Sequence, residues 1–320
     1  MSFTGGIKIS DYSKAVFFVI IAYISIAMMS VFVKLSSDQI PSGEILFFRF
    51  FIGLVFITPL AMKNKSINLK SGRGKYFTLR NIAGLLSMLL MFYSLNGLPV
   101  SVSVLLMNTS SLLVPLFLLL FYRERTSLPV WACTAAGFTG VYIMLSASSQ
   151  TVPATYLLAG LSAAALAALA YIGIKQLSRN ISATEIVFYF HLTSSIILPI
   201  FLAYNWVLPS WFDLFLLVMV GIFGLIFQVF MTKALTYSDM TAITPFIFTG
   251  VIASGFFDWI FWQNISSVSF WVGAFVIVTS VSMLVRLKNQ KKNLDNTHMQ
   301  TICTTVIFHK MKALLNKSSF

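Results

Sequence analysis

Charge is scarce in this sequence, and negative charge is scarcest. Only nine Asp and Glu occur among 320 residues, and all charged side chains together make up 10%. A soluble domain carries roughly 25%. Hydrophobic residues reach 58% and the mean hydropathy is +0.88. A water-facing surface cannot be built from this composition, so the class is a polytopic membrane protein. Cysteine is nearly missing too: Cys133 lies in an apolar segment and Cys303 in the basic C-terminal stretch. The pair suggests neither a disulfide framework nor a metal site. Of three histidines, only His191 lies outside the tail. An HExxH motif, paired aspartates, a nucleophile–histidine–acid set and a P-loop are all lacking. These absences argue against an intramembrane enzyme and against ATP-driven transport by this chain alone. No cofactor is implied.

What is present is a series of long apolar runs. A helix needs about 20 apolar residues to cross a bilayer. Ten runs qualify: 15–34, 44–62, 78–97, 100–122, 128–147, 154–174, 185–205, 212–232, 240–262 and 266–285. None alternates with period two, which argues against strands. The fold class expected is therefore an all-α membrane protein. The first run lacks a small-residue cleavage site and reads as a retained helix.

The net charge of +13 would suggest nucleic acid or acidic lipid in a soluble protein. Here its placement matters more. With a cytoplasmic N-terminus, 20 of the 22 Lys and Arg fall in cytoplasmic segments, Lys34 falls outside, and Arg49 lies within a helix. In this count Lys75 and Arg80 belong to the cytoplasmic loop before the third span. The positive-inside rule places both termini in the cytoplasm. The excess is thus a topology signal, and a nucleic-acid partner is not needed. The last segment opens with RLKNQKK and reads as a stop signal touching anionic lipid, while VIFHKMKALL (306–315) suggests a short interfacial helix.

The halves of the chain are alike. FVKLSSDQIPSGEILFF (32–48) matches IGIKQLSRNISATEIVFY (172–189) at an offset of 141, pairing Lys34 with Lys175, Ser37 with Ser178 and Glu44 with Glu185. At an offset of 140, Leu95 pairs with Leu235, Thr109 with Thr249 and Trp131 with Trp271. A five-helix unit repeated once must enter the membrane from opposite sides. Inverted repeats are a hallmark of secondary transporters, where rocking about a midplane site gives alternating access.

Several polar residues lie inside these spans. Arg49 sits among phenylalanines in EILFFRFFIGLVFITP (44–59), where an arginine needs a partner or water. Asp258, at comparable depth in the ninth span, is the expected partner. Such a pair closes an outer gate, holds a charged substrate, or is a structural ion pair. His191 suits proton coupling, or is a buried histidine bonded to a neighbouring helix. Asn108, in the polar stretch Asn108-Thr109-Ser110-Ser111, contacts substrate or binds helices together. Gln228 and Tyr23 carry the same two readings.

Phe47-Phe48-Arg49-Phe50-Phe51, Leu79-Arg80-Asn81 at the third span, a proline in the fourth and Thr244-Pro245 in the ninth resemble the drug/metabolite transporter superfamily, EamA-like branch. The arrangement is similar to S-adenosylmethionine uptake transporters. The resemblance implies a cytoplasmic N-terminus over 1–14, a first five-helix repeat over 15–147, a second over 154–287 and a basic tail over 288–320. It implies a pathway lined mainly by spans 1, 3, 4, 6, 8 and 9. It also implies a carrier in the bacterial inner membrane for a small organic metabolite, S-adenosylmethionine uptake being the leading substrate reading. Efflux of amino acids or drugs is the alternative, and a channel or intramembrane enzyme the alternative of another class. The partners expected are a small-molecule substrate, membrane lipid and a proton or exchange substrate, with a homodimer left open.

Overall fold

The structure, a computed structural model, describes residues 9–63, 74–122, 128–146, 153–202, 206–238, 240–264, 267–280, 282–283 and 286. The basic tail, with its interfacial-helix expectation, lies outside these residues. The described residues contain helices and no strand. In chain order the helices are α1 (Ile9–Ser36), α2 (Ser42–Lys63), α3 (Gly74–Gly97), α4 (Val100–Asn108), α5 (Ser110–Tyr122) and α6 (Leu128–Ser146). There follow α7 (Ala154–Leu177), α8 (Ala183–Leu202), α9 (Trp211–Tyr237), α10 (Met240–Ile247), α11 (Thr249–Trp262) and α12 (Val268–Ser280).

Seven stretches are long and apolar enough to cross a membrane: α1, α2, α3, α7, α8, α9 and the run Ile243–Trp262 through α10 and α11. The expected span 100–122 is split into α4 and α5, and 240–262 into α10 and α11. The spans 128–147 and 266–285 correspond to α6 and α12.

Polar side chains inside the helices mostly answer to their own backbone. Ser25, Ser30 and Ser36 donate to the carbonyls of Ile21, Ile26 and Phe32 at 2.8–2.9 Å. Such back-bonding hides a hydroxyl where no water is present. At the start of α9, Ser210 and Asp213 form a capping box: the Ser210 hydroxyl accepts from the Asp213 amide at 3.2 Å, and the Asp213 carboxylate accepts from the Ser210 amide at 3.1 Å. Two otherwise orphaned donors are thereby satisfied.

The packing pairs helices across the two halves of the chain. Helix α1 lies against α9, α3 against α7, and α2 against α8. By the offset of 140–141, α7 is the counterpart of α1, and α9 of α3. Each half therefore lends its first helix to the third helix of the other. Both pairs run antiparallel. Phe18 meets Phe230, Tyr23 meets Phe227, and Phe32 stacks on Phe223. In the other pair, Tyr93 meets Tyr156, and Ser87 donates to the Ala163 carbonyl at 2.8 Å.

Hydrogen bonds repeat as well. Lys34 donates to the Leu98 carbonyl at 2.6 Å, and Lys175 donates to the Ser238 carbonyl at 3.1 Å. Ser37 donates to the Lys34 carbonyl at 2.8 Å, and Ser178 to the Lys175 carbonyl at 3.0 Å. Thr109 donates to the Leu106 carbonyl at 2.6 Å, and Thr249 to the Phe246 carbonyl at 2.8 Å. The last two mark the breaks. Thr109 separates α4 from α5, and Phe248 separates α10 from α11. At both places a hydroxyl takes a carbonyl that the helix ladder releases.

Candidate functional site

The two broken segments meet at their breaks. The Asn108 side-chain amide donates to the Ile247 carbonyl at 3.3 Å, joining the last residue of α4 to the last residue of α10. The Asn108 side-chain oxygen, Oδ1, is buried and has no hydrogen-bond partner. Near this junction, α11 comes close to α1. A Cβ added at Gly250 would lie 2.9 Å from the Tyr23 carbonyl, so only glycine permits the approach.

A small cavity of about 20 Å³ lies between α3, α4, α7 and α9, with room for about one water. Arg80, Ser87, Met107, Tyr171, Phe227 and Gln228 line it. Tyr171 is hydrogen-bonded to Tyr23, itself buried on α1. The sequence candidates Gln228, Tyr23 and Asn108 thus sit on or next to the helices that enclose one central space.

Arg49 and Arg80 are the unusual occupants. Both are buried, at 0% and 3% exposure. No nitrogen of the Arg49 guanidinium has a hydrogen-bond partner, nor does Arg80 Nε. Aromatic faces stand where carboxylates would be expected. The Arg49 guanidinium carbon lies 4.5 Å from the Phe50 ring centroid, and that of Arg80 lies 3.8 Å from the Phe190 centroid. Phe50 and Phe190 meet edge to face at 4.8 Å. Each guanidinium therefore rests on one ring of a contacting aromatic pair. A cation–π contact contributes about 0.5–2 kcal/mol. An arginine at the bilayer centre costs about 2.5–3.5 kcal/mol on the insertion scale, and more by other estimates. The rings offset only part of that cost, so the site holds positive charge without a matching anion.

Glycines make the room. A Cβ at Gly224 on α9 would stand 2.8 Å from Arg49 Nε, and one at Gly84 on α3 would strike Arg80 and crowd Phe190 at 3.1 Å. Gly84 and Gly224 are 140 apart, so they are repeat counterparts. His191, in contact with Phe50 at a centroid distance of 5.4 Å, packs against Gly53 with no space for a Cβ. Its Nδ1 pairs with the Val187 carbonyl at 2.9 Å, while Nε2 is buried without a partner.

Two sequence expectations are corrected. Arg49 does not pair with Asp258. The Asp258 carboxylate accepts from the backbone amides of Val100 at 2.9 Å and Ser101 at 2.7 Å, and so caps α4. Backbone donors left unpaired at a helix start compete well for a carboxylate. Arg80 is not a loop residue: it lies within α3, buried, where the neighbouring Arg73 and Lys75 made it look cytoplasmic. Its role was missed for that reason. The glycine pair at the repeat offset was a signal that could have pointed to it.

Comparison with known proteins agrees with this architecture. The model of the EamA-like transporter family matches residues 13–146 and again residues 154–286. The chain is 27% identical over 276 residues to a pseudopaline exporter of Pseudomonas aeruginosa strain UCBPP-PA14, covering 86% of this chain and 97% of that one. It is 25% identical over 295 residues to an S-adenosylmethionine uptake transporter of Rickettsia conorii, covering 91% and 98%. A solved crystal structure superposes with a TM-score of 0.64 at 16% identity, covering 88% of this chain and 98% of that chain. With two family matches that together span most of its length and a helical membrane fold, this chain belongs to the EamA-like transporter family.

Proposed function

We propose that the protein is a secondary transporter that carries a small organic metabolite across the bacterial inner membrane by alternating access. In this reading ten spans form two inverted five-helix repeats, α4–α5 and α10–α11 each count as one broken span, and both termini are cytoplasmic. The observation that carries it is the junction of the two breaks, Asn108 to Ile247, beside a small cavity. Discontinuous helices meeting at mid-depth are where transporters of this kind hold substrate, because a break frees backbone groups only where they line a cavity. The matching hydrogen bonds of Lys34 and Lys175, each in the last turn of its helix and at opposite ends of the bundle, supply one closing contact for each side.

The leading substrate is S-adenosylmethionine, taken up in exchange for its spent product, on the strength of the relatives of that name. The exporter among the relatives keeps efflux of amino acids or drugs as the second reading. The test is uptake of labelled S-adenosylmethionine by bacteria that lack a route for it. Saturable uptake, accelerated by unlabelled compound on the far side, supports a carrier for this substrate. No uptake with the protein present in the membrane removes S-adenosylmethionine and sends the search to efflux substrates.

A further inference from the structure

Two cations are buried in one apolar region, and no acid answers them. Lys14 pairs with Asp11 at 3.5 Å at the start of α1. Among the described residues four acids are buried: Asp258 caps α4, Asp213 caps α9, Glu44 accepts from the Val207 amide at 3.0 Å, and Glu185 lies in the first turn of α8 with interactions of its own. Arg49 and Arg80 are held by rings and given space by Gly224 and Gly84. Rings leave the edges of a guanidinium unused, and those edges are what a carboxylate engages with two parallel hydrogen bonds. Arg80 already faces the central cavity beside Gln228 and Tyr171. Each guanidinium lies over one ring of the Phe50–Phe190 pair, so the two charges border the same aromatic contact.

We propose that Arg49 and Arg80 bind a carboxylate of the transported solute, which is therefore an organic acid or a zwitterion. Neutral and purely cationic compounds are excluded as substrates. The proposal rests on the transporter reading and adds the substrate class. S-Adenosylmethionine meets the requirement, because it carries one carboxylate.

The experiment uses the full chain in lipid nanodiscs. S-Adenosylmethionine is compared with its decarboxylated form, and citrate with trimethyl citrate, by ligand-induced shift of the unfolding temperature. Glycerol 3-phosphate serves as the phosphate probe. Arg49→Gln and Arg80→Gln are measured beside the wild type. At least one of the two acids is expected to bind roughly tenfold or more tightly than its counterpart lacking the carboxylate, and to lose that advantage in each Gln variant. The unliganded variants are expected to unfold at or above the wild-type temperature, so a loss of binding is not a loss of fold. Binding that ignores the carboxylate, binding unaffected by both substitutions, or no binding by either acid overturns the proposal. Arginine-dependent binding that prefers glycerol 3-phosphate overturns it in favour of a phosphate. S-Adenosylmethionine uptake that survives both substitutions sinks this inference and keeps the transporter. Arginine-dependent citrate binding without S-adenosylmethionine uptake does the reverse for the substrate reading.

Discussion

The Asp258 carboxylate receives the backbone amide of Val100 at 2.9 Å, tying the far end of one broken segment to the near end of the other. Ser101 donates to the same carboxylate, so the first turn of α4 is held by α11. Lys34 stands beside this knot, over the Trp262 ring at 5.2 Å and bonded to the Leu98 carbonyl.

Removal of this cap is expected to loosen that end of the bundle. Asp258→Ala leaves two buried amides unanswered, at a cost of about 2 kcal/mol. Asp258→Asn, which keeps an acceptor, is expected to cost less. Thermal unfolding checks the order. In a background of Cys133→Ser and Cys303→Ser, a Ser101→Cys probe should react faster with a membrane-impermeant thiol reagent after Asp258→Ala. An unchanged labelling rate would mean that the cap does not hold this end closed.

Arg49→Met separates a functional arginine from a structural one. The guanidinium has no hydrogen-bond partner, so an apolar side chain of similar length should raise the unfolding temperature, as replacing poorly compensated buried charge often does by about 1–4 kcal/mol. Transport should fall at least tenfold. A destabilised Arg49→Met protein would show that the guanidinium supports the fold.

The two lysines are expected to act at opposite ends. Lys34→Met removes the contact to Leu98, and Lys175→Met removes the contacts to Leu235 and Ser238. Each loss should cost about 1 kcal/mol. Labelling of a Leu98→Cys probe should rise only with Lys34→Met, and labelling of a Ser238→Cys probe only with Lys175→Met. A response at both ends to either change would contradict separate gates.

Two glycine substitutions should differ in kind. At Gly250 the obstacle is the Tyr23 backbone carbonyl at 2.9 Å, which cannot yield. Gly250→Ala should therefore destabilise the protein by about 1–3 kcal/mol. At Gly224 the obstacle is the Arg49 side chain, which can move. Gly224→Ala should spare stability and impair transport. Unfolding temperature and uptake, measured together, decide it.

The apolar helices were legible in the sequence because hydropathy is one-dimensional, and seven of the expected spans are long and apolar enough to cross a membrane. Hydropathy marks where a helix lies, and Lys34–Lys175 or Thr109–Thr249 mark the offset. What Arg49 touches was not legible. Its place along α2 fixes a depth, but not which neighbour faces it. Asp258 lies at a similar depth yet serves Val100 and Ser101, whose donors are backbone groups that no list of side chains reveals. Arg80 was obscured by the basic residues just before it, since a charge near a helix start reads as loop until the packing places it. The central region was half-visible: Asn108, Gln228, Tyr23 and His191 stood out as polar residues in apolar runs. Gly84 and Gly224 did not, because what a glycine provides is space for another residue.

The exchange of helices between halves bears on how the protein is made. Helix α1 waits for α9, and α3 waits for α7, so the first half enters the bilayer with its two largest interhelical faces uncovered. A chain stopped after α6 would present those faces to the membrane's quality-control proteases. Two separately synthesised halves, meeting in the same bilayer, hold the complement that each lacks.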